Sequence, residues 1–333
     1  KLNLMGLNKN ELEKFFVSID EKPFRAKQIV KWVHQRGVSS FSEMTDISKD
    51  LRAKLETLCF IEAPEVIYEK TSQDGTKKWV VSVGNNDLIE MVLIPENNRA
   101  TLCVSSQVGC SFDCSFCATG KQGFARNLDS GEIIAQVFIA ARFLRASLAS
   151  GKKRSITNVV FMGMGEPLHN LQNILRSIQV FTDSPGFGIS SRNITVSTSG
   201  LVPAMEELMS VTSIRLAVSL NASTDKQRDL LMPVNLRWPI RELIAACKRI
   251  IEKSTRSQRI LFEYVLLSGI NDSLADADRL VNLLKSIPCK INLIPMNSHD
   301  RSSFKKPSAT KQIAFKKRLL SNGIAVTLRR ERG

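Results

Sequence analysis

The spacing of apolar residues changes twice along this chain, and the changes divide it into three parts. Residues 1–62 carry a helical period. Asn8 or Asn10 can cap a helix bearing Leu12, Phe15 and Phe16. Pro23 suits the first turn of a second helix, whose apolar face is Ala26, Ile29, Val30 and Val33. Asp46 or Ser48 can open a third, through Leu51 and Leu55. Residues 63–98 switch to a period of two: Val66 and Tyr68, then Trp79, Val81 and Val83, then Leu88, Glu90, Val92 and Ile94. Asp74-Gly75 and Gly84-Asn85-Asn86 supply the turns, so this part reads as a small antiparallel meander ending at Pro95.

From Thr101 apolar strands alternate with helical stretches. The strands fall at 101–106, 156–162, 193–198, 214–220, 260–267 and 290–294, with 324–328 as a seventh. Helices are expected near 129–148, 170–182, 202–211, 239–253, 273–286 and 308–321, the first opened by a capping box of Asp129 and Glu132. This alternation implies a parallel sheet. About six repeats fit an incomplete α/β barrel, one large domain over residues 99–333. In such barrels chemistry sits at the C-terminal ends of the strands. Polar and glycine residues collect there: Gly163 to Glu166 after the second strand, Ser197 at the third, Ser219 to Asn221 at the fourth, Asn297 after the sixth.

The first of these strand ends carries the densest chemistry. Cys110, Cys114 and Cys117 form a CxxxCxxC pattern within eight residues. Thiolates are soft ligands that select zinc, copper(I) or iron–sulfur clusters. A structural zinc site needs four ligands, and His34, His169 and His299 are all remote in sequence. Three thiolates on a four-iron cluster leave one iron open to a ligand. Zinc with a remote fourth ligand and three buried structural cysteines are the competing readings.

Charge adds a partner. Lys and Arg number 47 against 32 Asp and Glu, a formal net charge of +15. That favours a polyanion, nucleic acid first. Lys27 and Lys31 point away from the apolar face of the second helix, with Arg25 and Arg36 on its flank beside Trp32. Further basic runs are Lys152-Lys153-Arg154 and Lys316-Lys317-Arg318. No apolar run reaches the roughly 18 residues of a membrane span. Seven cysteines without a secretory signal point to a reducing, cytoplasmic setting.

CxxxCxxC resembles the signature of the radical S-adenosylmethionine superfamily. The wider run LCVSSQVGCSFDCSFCATGKQGFARNL, with EKPFRAKQ, TNVVFMGMGEP, TVSTSG and CKINLIPMN, resembles one branch more closely. That branch is the RlmN family of adenine carbon-2 methyltransferases, which act on 23S ribosomal RNA and tRNA. The related carbon-8 branch of the Cfr type, and a non-catalytic iron–sulfur RNA-binding protein, stand as alternatives.

The resemblance implies a 4Fe–4S cluster on Cys110, Cys114 and Cys117. It implies S-adenosylmethionine bound by Gly165, Glu166, Ser197, Ser219, Leu220, Asn221 and Asn297. Asn221 stands where some relatives have histidine, which favours a backbone contact there. Cys103 matches a redox-active catalytic thiol and Glu90 a proton acceptor; Cys59, Cys247 and Cys289 match no motif and read as core. The family's second catalytic cysteine follows a basic segment like Thr327–Gly333, so the expectation is a further C-terminal segment that carries it. The resemblance also implies a monomer served by an electron donor such as flavodoxin.

Overall fold

The computed structural model describes residues 1–146, 155–254, 258–297 and 302–329. The basic run Lys152-Lys153-Arg154 lies outside them. The chain divides into two units: residues 1–108, 127–163 and 170–194 form one, and residues 109–126, 164–169 and 195–333 the other.

The first unit opens with β1 (Leu2–Asn3), parallel to β2 (Cys59–Phe60), which closes the helical part. Between them lie α1 (Lys9–Ser18), α2 (Arg25–Val30) and α3 (Lys49–Leu58). Asn8, not Asn10, caps α1, in a reciprocal box with Glu11; Ser48, not Asp46, caps α3. Asp46 accepts the Trp32 indole N–H at 2.5 Å instead. Lys27, Lys31 and Arg36 are exposed, and the Arg36 guanidinium lies 3.9 Å from the centre of the Trp32 ring.

The meander is β3 (Glu65–Thr71), β4 (Lys77–Val83) and β5 (Asp87–Glu96), continued by β6 (Arg99–Cys103). These four pair antiparallel in sequence order, and β9 (Asn158–Phe161) joins β6 in parallel. Trp79 pairs with Met91 and Val81 with Ile89, and this face is buried. The period-two set Leu88, Glu90, Val92 and Ile94 therefore lies on the opposite face, with Leu88 47% exposed. Strand β5 is apolar on both faces, so alternation alone could not tell which one the helices cover. Between β6 and β9 come β7 (Gln107–Gly109), β8 (Phe124–Asn127) and α4 (Ser130–Ala146), which starts with the expected Asp129–Glu132 box. Helix α5 (Leu171–Thr182) packs against α4.

The second unit is a regular parallel array. Strands β10 (Ile194–Thr198), β11 (Arg215–Ser219), β12 (Ile260–Leu266), β13 (Cys289–Pro295) and β14 (Ala325–Leu328) pair in that order. Connecting them are α6 (Val202–Val211), α7 (Asp225–Leu231), α8 (Ile240–Lys253), α9 (Leu274–Leu284) and α10 (Ala309–Ser321). Strands β6, β9 and β10–β13 are the six expected repeats and β14 the seventh. Helix α7, only seven residues long, has no counterpart in the sequence reading. Cys59 and Cys247 are buried, as expected of core residues, and Cys289 is half-buried at the start of β13. No helix among the described residues is long and apolar enough to cross a membrane.

His34 is a buried titratable group at the heart of the helical part. Its Nε2 faces the Met5 carbonyl at 3.3 Å, and its ring stacks on Phe187 with centroids 5.0 Å apart. Burial lowers its pKa to about 4. In the unfolded chain the imidazole protonates near 6.5. Stability from the neutral ring is thus present above pH 6.5 and is lost as pH falls towards 4. The full effect is about 3 kcal/mol. The opening free energy of the α1 and α2 amides, taken from hydrogen exchange after correction for the intrinsic pH dependence of exchange, should fall by up to about 3 kcal/mol between pH 6.5 and 4, and His34→Gln should remove most of that dependence.

Candidate active site

Strands β7 and β8 bring the two ends of the cysteine loop together. The Cys110 N–H donates to the Gly123 carbonyl at 3.0 Å. Gly109 has φ +74°, and a Cβ there would stand 1.8 Å from that same oxygen, so no other residue fits without moving the loop. Inside the loop the Cys117 N–H donates to the Cys114 carbonyl at 3.0 Å, and the Phe112 N–H points at the Cys110 sulfur at 3.4 Å. Phe112 packs on His169, ring centroids 4.8 Å apart, and the Ser111 hydroxyl hydrogen-bonds His169 Nδ1. His169 belongs to the Gly165–Glu166 segment, so these contacts fasten two of the expected site loops to each other.

Cys114 is buried; Cys110 and Cys117 are half-buried. Burial pushes the Cys110 thiol up to about 11 and Cys114 to about 12, and each is raised further by the other cysteines of the loop and by Glu166. Among the described residues no three ligating side chains converge on a single ion. The donor set fits: three soft sulfurs from one loop, with bound iron able to offset the raised pKa values of Cys110 and Cys114.

Gly165 has φ +97°, which lets the backbone turn after Gly163 without a Cβ clash. Glu166 then points inward and is 2% exposed. One carboxylate oxygen accepts the Leu168 N–H at 3.0 Å, the other the Ser199 N–H at 2.7 Å. Burial raises its pKa, opposed by those hydrogen bonds. The Glu166 side chain thereby braces the glycine loop against the end of β10, while its own backbone N–H is directed at the Cys110 sulfur.

The other strand ends follow the same logic. The Ser197 hydroxyl donates to Glu263 at 2.9 Å. Glu263, on β12, is buried with a raised pKa, its desolvation outweighing the Ser197 and Asn292 hydrogen bonds. The Leu220 N–H donates to the Glu263 carbonyl at 3.0 Å. Asn221 has φ +54°, and its side-chain oxygen accepts the Val265 N–H at 2.8 Å. Its amide NH2 points at the Met232 sulfur at 3.3 Å. The Asn221 side chain is thus occupied within the fold, in keeping with a backbone contact to any ligand. Ser219 is half-buried at the end of β11, and Asn297 is exposed after β13.

Cys103 and Glu90 stand on the first unit. Cys103, half-buried, ends β6 opposite Val92 of β5. Two residues along β5, Glu90 shares the face of Val92 and Cys103. Such diagonal neighbours are roughly 7–8 Å apart. Glu90 pairs with Lys78 at 2.5 Å, and its carbonyl accepts the Ser105 hydroxyl at 2.6 Å.

The sequence reading missed Glu263 and Arg228. A lone carboxylate inside the apolar strand ILFEYVL was a signal for the first; for the second there was none, since a single arginine on a short helix reads as surface.

The fold and the cysteine loop are those of the radical S-adenosylmethionine superfamily, whose model matches residues 104–281. A second family model, the ribosomal RNA large subunit methyltransferase N-terminal domain, matches residues 2–61. The chain is 50% identical to the dual-specificity RNA methyltransferase RlmN of Marinomonas sp., covering all of this chain and 90% of that protein. It is 48% identical, with the same coverage, to the protein of that name from Francisella tularensis subsp. novicida. A radical SAM methyltransferase from Sphaerobacter thermophilus superposes with a TM-score of 0.93 at 41% identity, over 100% of this chain and 96% of that one. The chain belongs to the RlmN family. With that membership come a 4Fe–4S cluster and S-adenosylmethionine as cofactors.

Anaerobic reconstitution should load about four irons per chain, and alanine at Cys110, Cys114 or Cys117 should abolish it. Because burial keeps the metal-free Cys110 and Cys114 thiols protonated at neutral pH, iron uptake should release protons and weaken as pH falls. Stoichiometric zinc in place of iron would contradict the assignment.

Proposed function

We propose that this protein methylates carbon 2 of an adenine in 23S ribosomal RNA and tRNA, through a methyl-cysteine intermediate. The observation that carries the reading is the cysteine loop fastened to the Gly165–Glu166 loop, in a chain 50% identical over its length to an RlmN methyltransferase. Carbon 2 lies between two ring nitrogens and is electron-poor, so it does not attack the methyl group of S-adenosylmethionine directly. When bound, the cluster supplies the electron that cleaves S-adenosylmethionine and opens a radical route.

The chain's own residues do the rest. Cys110, Cys114 and Cys117 hold the cluster. The backbone around Gly165 and Glu166 receives the amino end of the cofactor, and the ends of β10, β11 and β13 receive the remainder through Ser197, Ser219, Leu220, Asn221 and Asn297. Glu90, steadied by Lys78, takes the proton from carbon 2. Cys103, on the same sheet face, releases the product: its thiolate bonds to the carrier sulfur, the electron pair of the breaking carbon–sulfur bond passes to the methylene carbon and the electron-poor ring, and that carbon takes up a proton to become the methyl group, leaving a disulfide. The methyl carrier is the family's second catalytic cysteine. The protein works as a cytoplasmic monomer and takes its electrons from a low-potential donor such as flavodoxin.

Nucleoside analysis of treated RNA tests the reaction: 2-methyladenosine is expected, and 8-methyladenosine or unmodified RNA would overturn it. In protein that carries the methyl-bearing cysteine, Cys103→Ala should keep its iron and still cleave S-adenosylmethionine. It should stall as a covalent RNA adduct, visible as a shifted band on denaturing gels; normal turnover would remove Cys103 from the mechanism.

The RNA is held first by charge. In the helical part Lys27, Lys31 and Arg36 are exposed beside Phe24, itself 54% exposed, and Arg25 is half-buried over the Phe24 ring. At α10 Lys317 is exposed, whereas Arg318 is committed to Asp278 at 2.6 and 2.9 Å and is the weaker candidate. Phosphate contacts position the RNA without choosing the base, and the target adenine must be unpaired or flipped to react. Removing Arg25, Lys27 and Lys31 together, as alanines, should weaken RNA binding and reduce the salt slope by up to about 3. Cofactor cleavage without RNA should not change. Equal affinity and slope would exclude this surface.

A further inference from the structure

Helix α7 touches the cysteine loop directly. The Ser115 N–H donates to the Leu231 carbonyl at the end of α7, at 3.0 Å. From the middle of this helix Arg228 turns inward and is wholly buried. Its Nε donates to the Leu220 carbonyl at 3.1 Å. Its Nη2 donates to the carbonyls of Ser219 at 3.1 Å and Ser199 at 2.5 Å. Its Nη1 donates to the Asn235 side-chain oxygen at 3.0 Å. Three of the four acceptors are backbone carbonyls at or just beyond the ends of β10 and β11. The loop after β10 is shaped around the guanidinium: Gly200 has φ +112°, and a Cβ there would stand 3.3 Å from Arg228 Nη2.

All four partners are neutral. A buried cation satisfied only by neutral acceptors is unfavourable unless an anion lies near. Asp225 and Asp229, which the Asn235 amide bonds at 3.0 and 2.6 Å, keep their charge and lie in electrostatic reach of the guanidinium. The cysteine loop is held against the same helix by the Ser115–Leu231 hydrogen bond, with Cys114 in electrostatic reach of the guanidinium. Burial lowers the guanidinium pKa only to about 10, so it remains charged at neutral pH.

We infer that Arg228 is a positioning residue with two tasks: it clamps the strand-end carbonyls that shape the S-adenosylmethionine site, and it is the fixed countercharge beneath the anionic cysteine loop. The inference rests on the cofactor reading of this site. The two tasks separate chemically. The planar fork reaches carbonyls from two strands at once, which a lysine ammonium cannot reproduce. The charge tunes the cluster, whose reduction becomes easier beside a buried cation.

Two variants divide them. In reconstituted protein, Arg228→Lys should bind S-adenosylmethionine about tenfold more weakly, by equilibrium dialysis, while keeping the cluster's midpoint potential in an EPR-monitored titration. Arg228→Gln should lose the same affinity and also shift the midpoint negative, by about 59 mV for each tenfold change in the one-electron equilibrium. Wild-type affinity in Arg228→Lys overturns the clamp; an unchanged midpoint in Arg228→Gln overturns the countercharge. Should a variant take up no iron, hydrogen exchange of the metal-free proteins reads the clamp alone. The Gly200 and Asn221 amides should exchange about tenfold faster than in wild type, and unchanged exchange overturns it. A wild-type protein that binds no S-adenosylmethionine would instead defeat the cofactor reading, leaving the clamp to be judged by exchange.

Discussion

Anionic sulfur in a dry interior is the constraint on which the second unit depends. A buried charge is tolerated only with partners. Here the partners are distributed: backbone N–H groups from Phe112 and Glu166 on Cys110, and the Arg228 guanidinium in electrostatic reach of Cys114. Glu166 adds a second buried anion to the same place, and its two oxygens are matched by the N–H groups of Leu168 and Ser199. Without metal the balance falls on the side of neutral thiols, which is why Cys110 and Cys114 are pushed far above an ordinary thiol. Bound iron would favour the thiolate form instead. The loop therefore keeps Cys110 and Cys114 protonated until metal displaces their protons to solvent.

The same accounting explains how strand ends become a ligand site. At the end of a parallel strand, N–H and C=O groups lose their sheet partners and must find others. In this protein side chains supply them from neighbouring strands. Asn221 Oδ1 takes the Val265 N–H, Asn271 Nδ2 donates to the Asn221 carbonyl at 2.8 Å, and Arg228 takes the carbonyls of Ser199, Ser219 and Leu220. Groups that would otherwise drift with the loops are fixed in direction. The positive φ of Gly165 and of Asn221 then aims the backbone rather than long side chains into the site. A cradle built this way depends on local hydrogen bonds more than on the identity of any one exposed residue.

That dependence sets what the sequence could reveal. The repeating strands were legible because a buried parallel strand is a short apolar run between turns, and the observed limits of β10 to β14 lie within a residue or so of those read from the pattern. The cysteine loop was legible because three thiols at fixed spacing have few other uses. Helix caps were legible as pairs of choices, and hydrogen bonding resolved them to Asn8 and Ser48. What stayed hidden was everything that acts across the sequence. Arg228 and Ser199 are 29 residues apart, and Ser197 and Glu263 are 66 apart. No periodicity links such pairs, since the sheet alone brings them together. Strand β5 failed for a different reason: being apolar on both faces, it gave the period of a strand but not its orientation.

That two-faced strand is itself informative. Covering one face of β5 with helices suffices to fold the first unit, through Ile89, Met91 and Leu93 against the Trp79 side of β4. The apolar residues on the other face, Leu88 among them, are not needed for that core. Yet this is the face that carries Glu90 and Cys103, a carboxylate and a thiol on adjacent strands. That face sets apolar side chains beside a carboxylate and a thiol, so one surface offers both van der Waals contact and polar edges. A sheet of regular antiparallel register, Val92 opposite Cys103 and Val80 opposite Glu90, holds those groups at a fixed separation more firmly than a loop could. Glu90 and Cys103 are thus placed by strand register, whereas the loops around Glu166 and Asn221 are placed by buried polar contacts, and the two units keep their precision by different physical means.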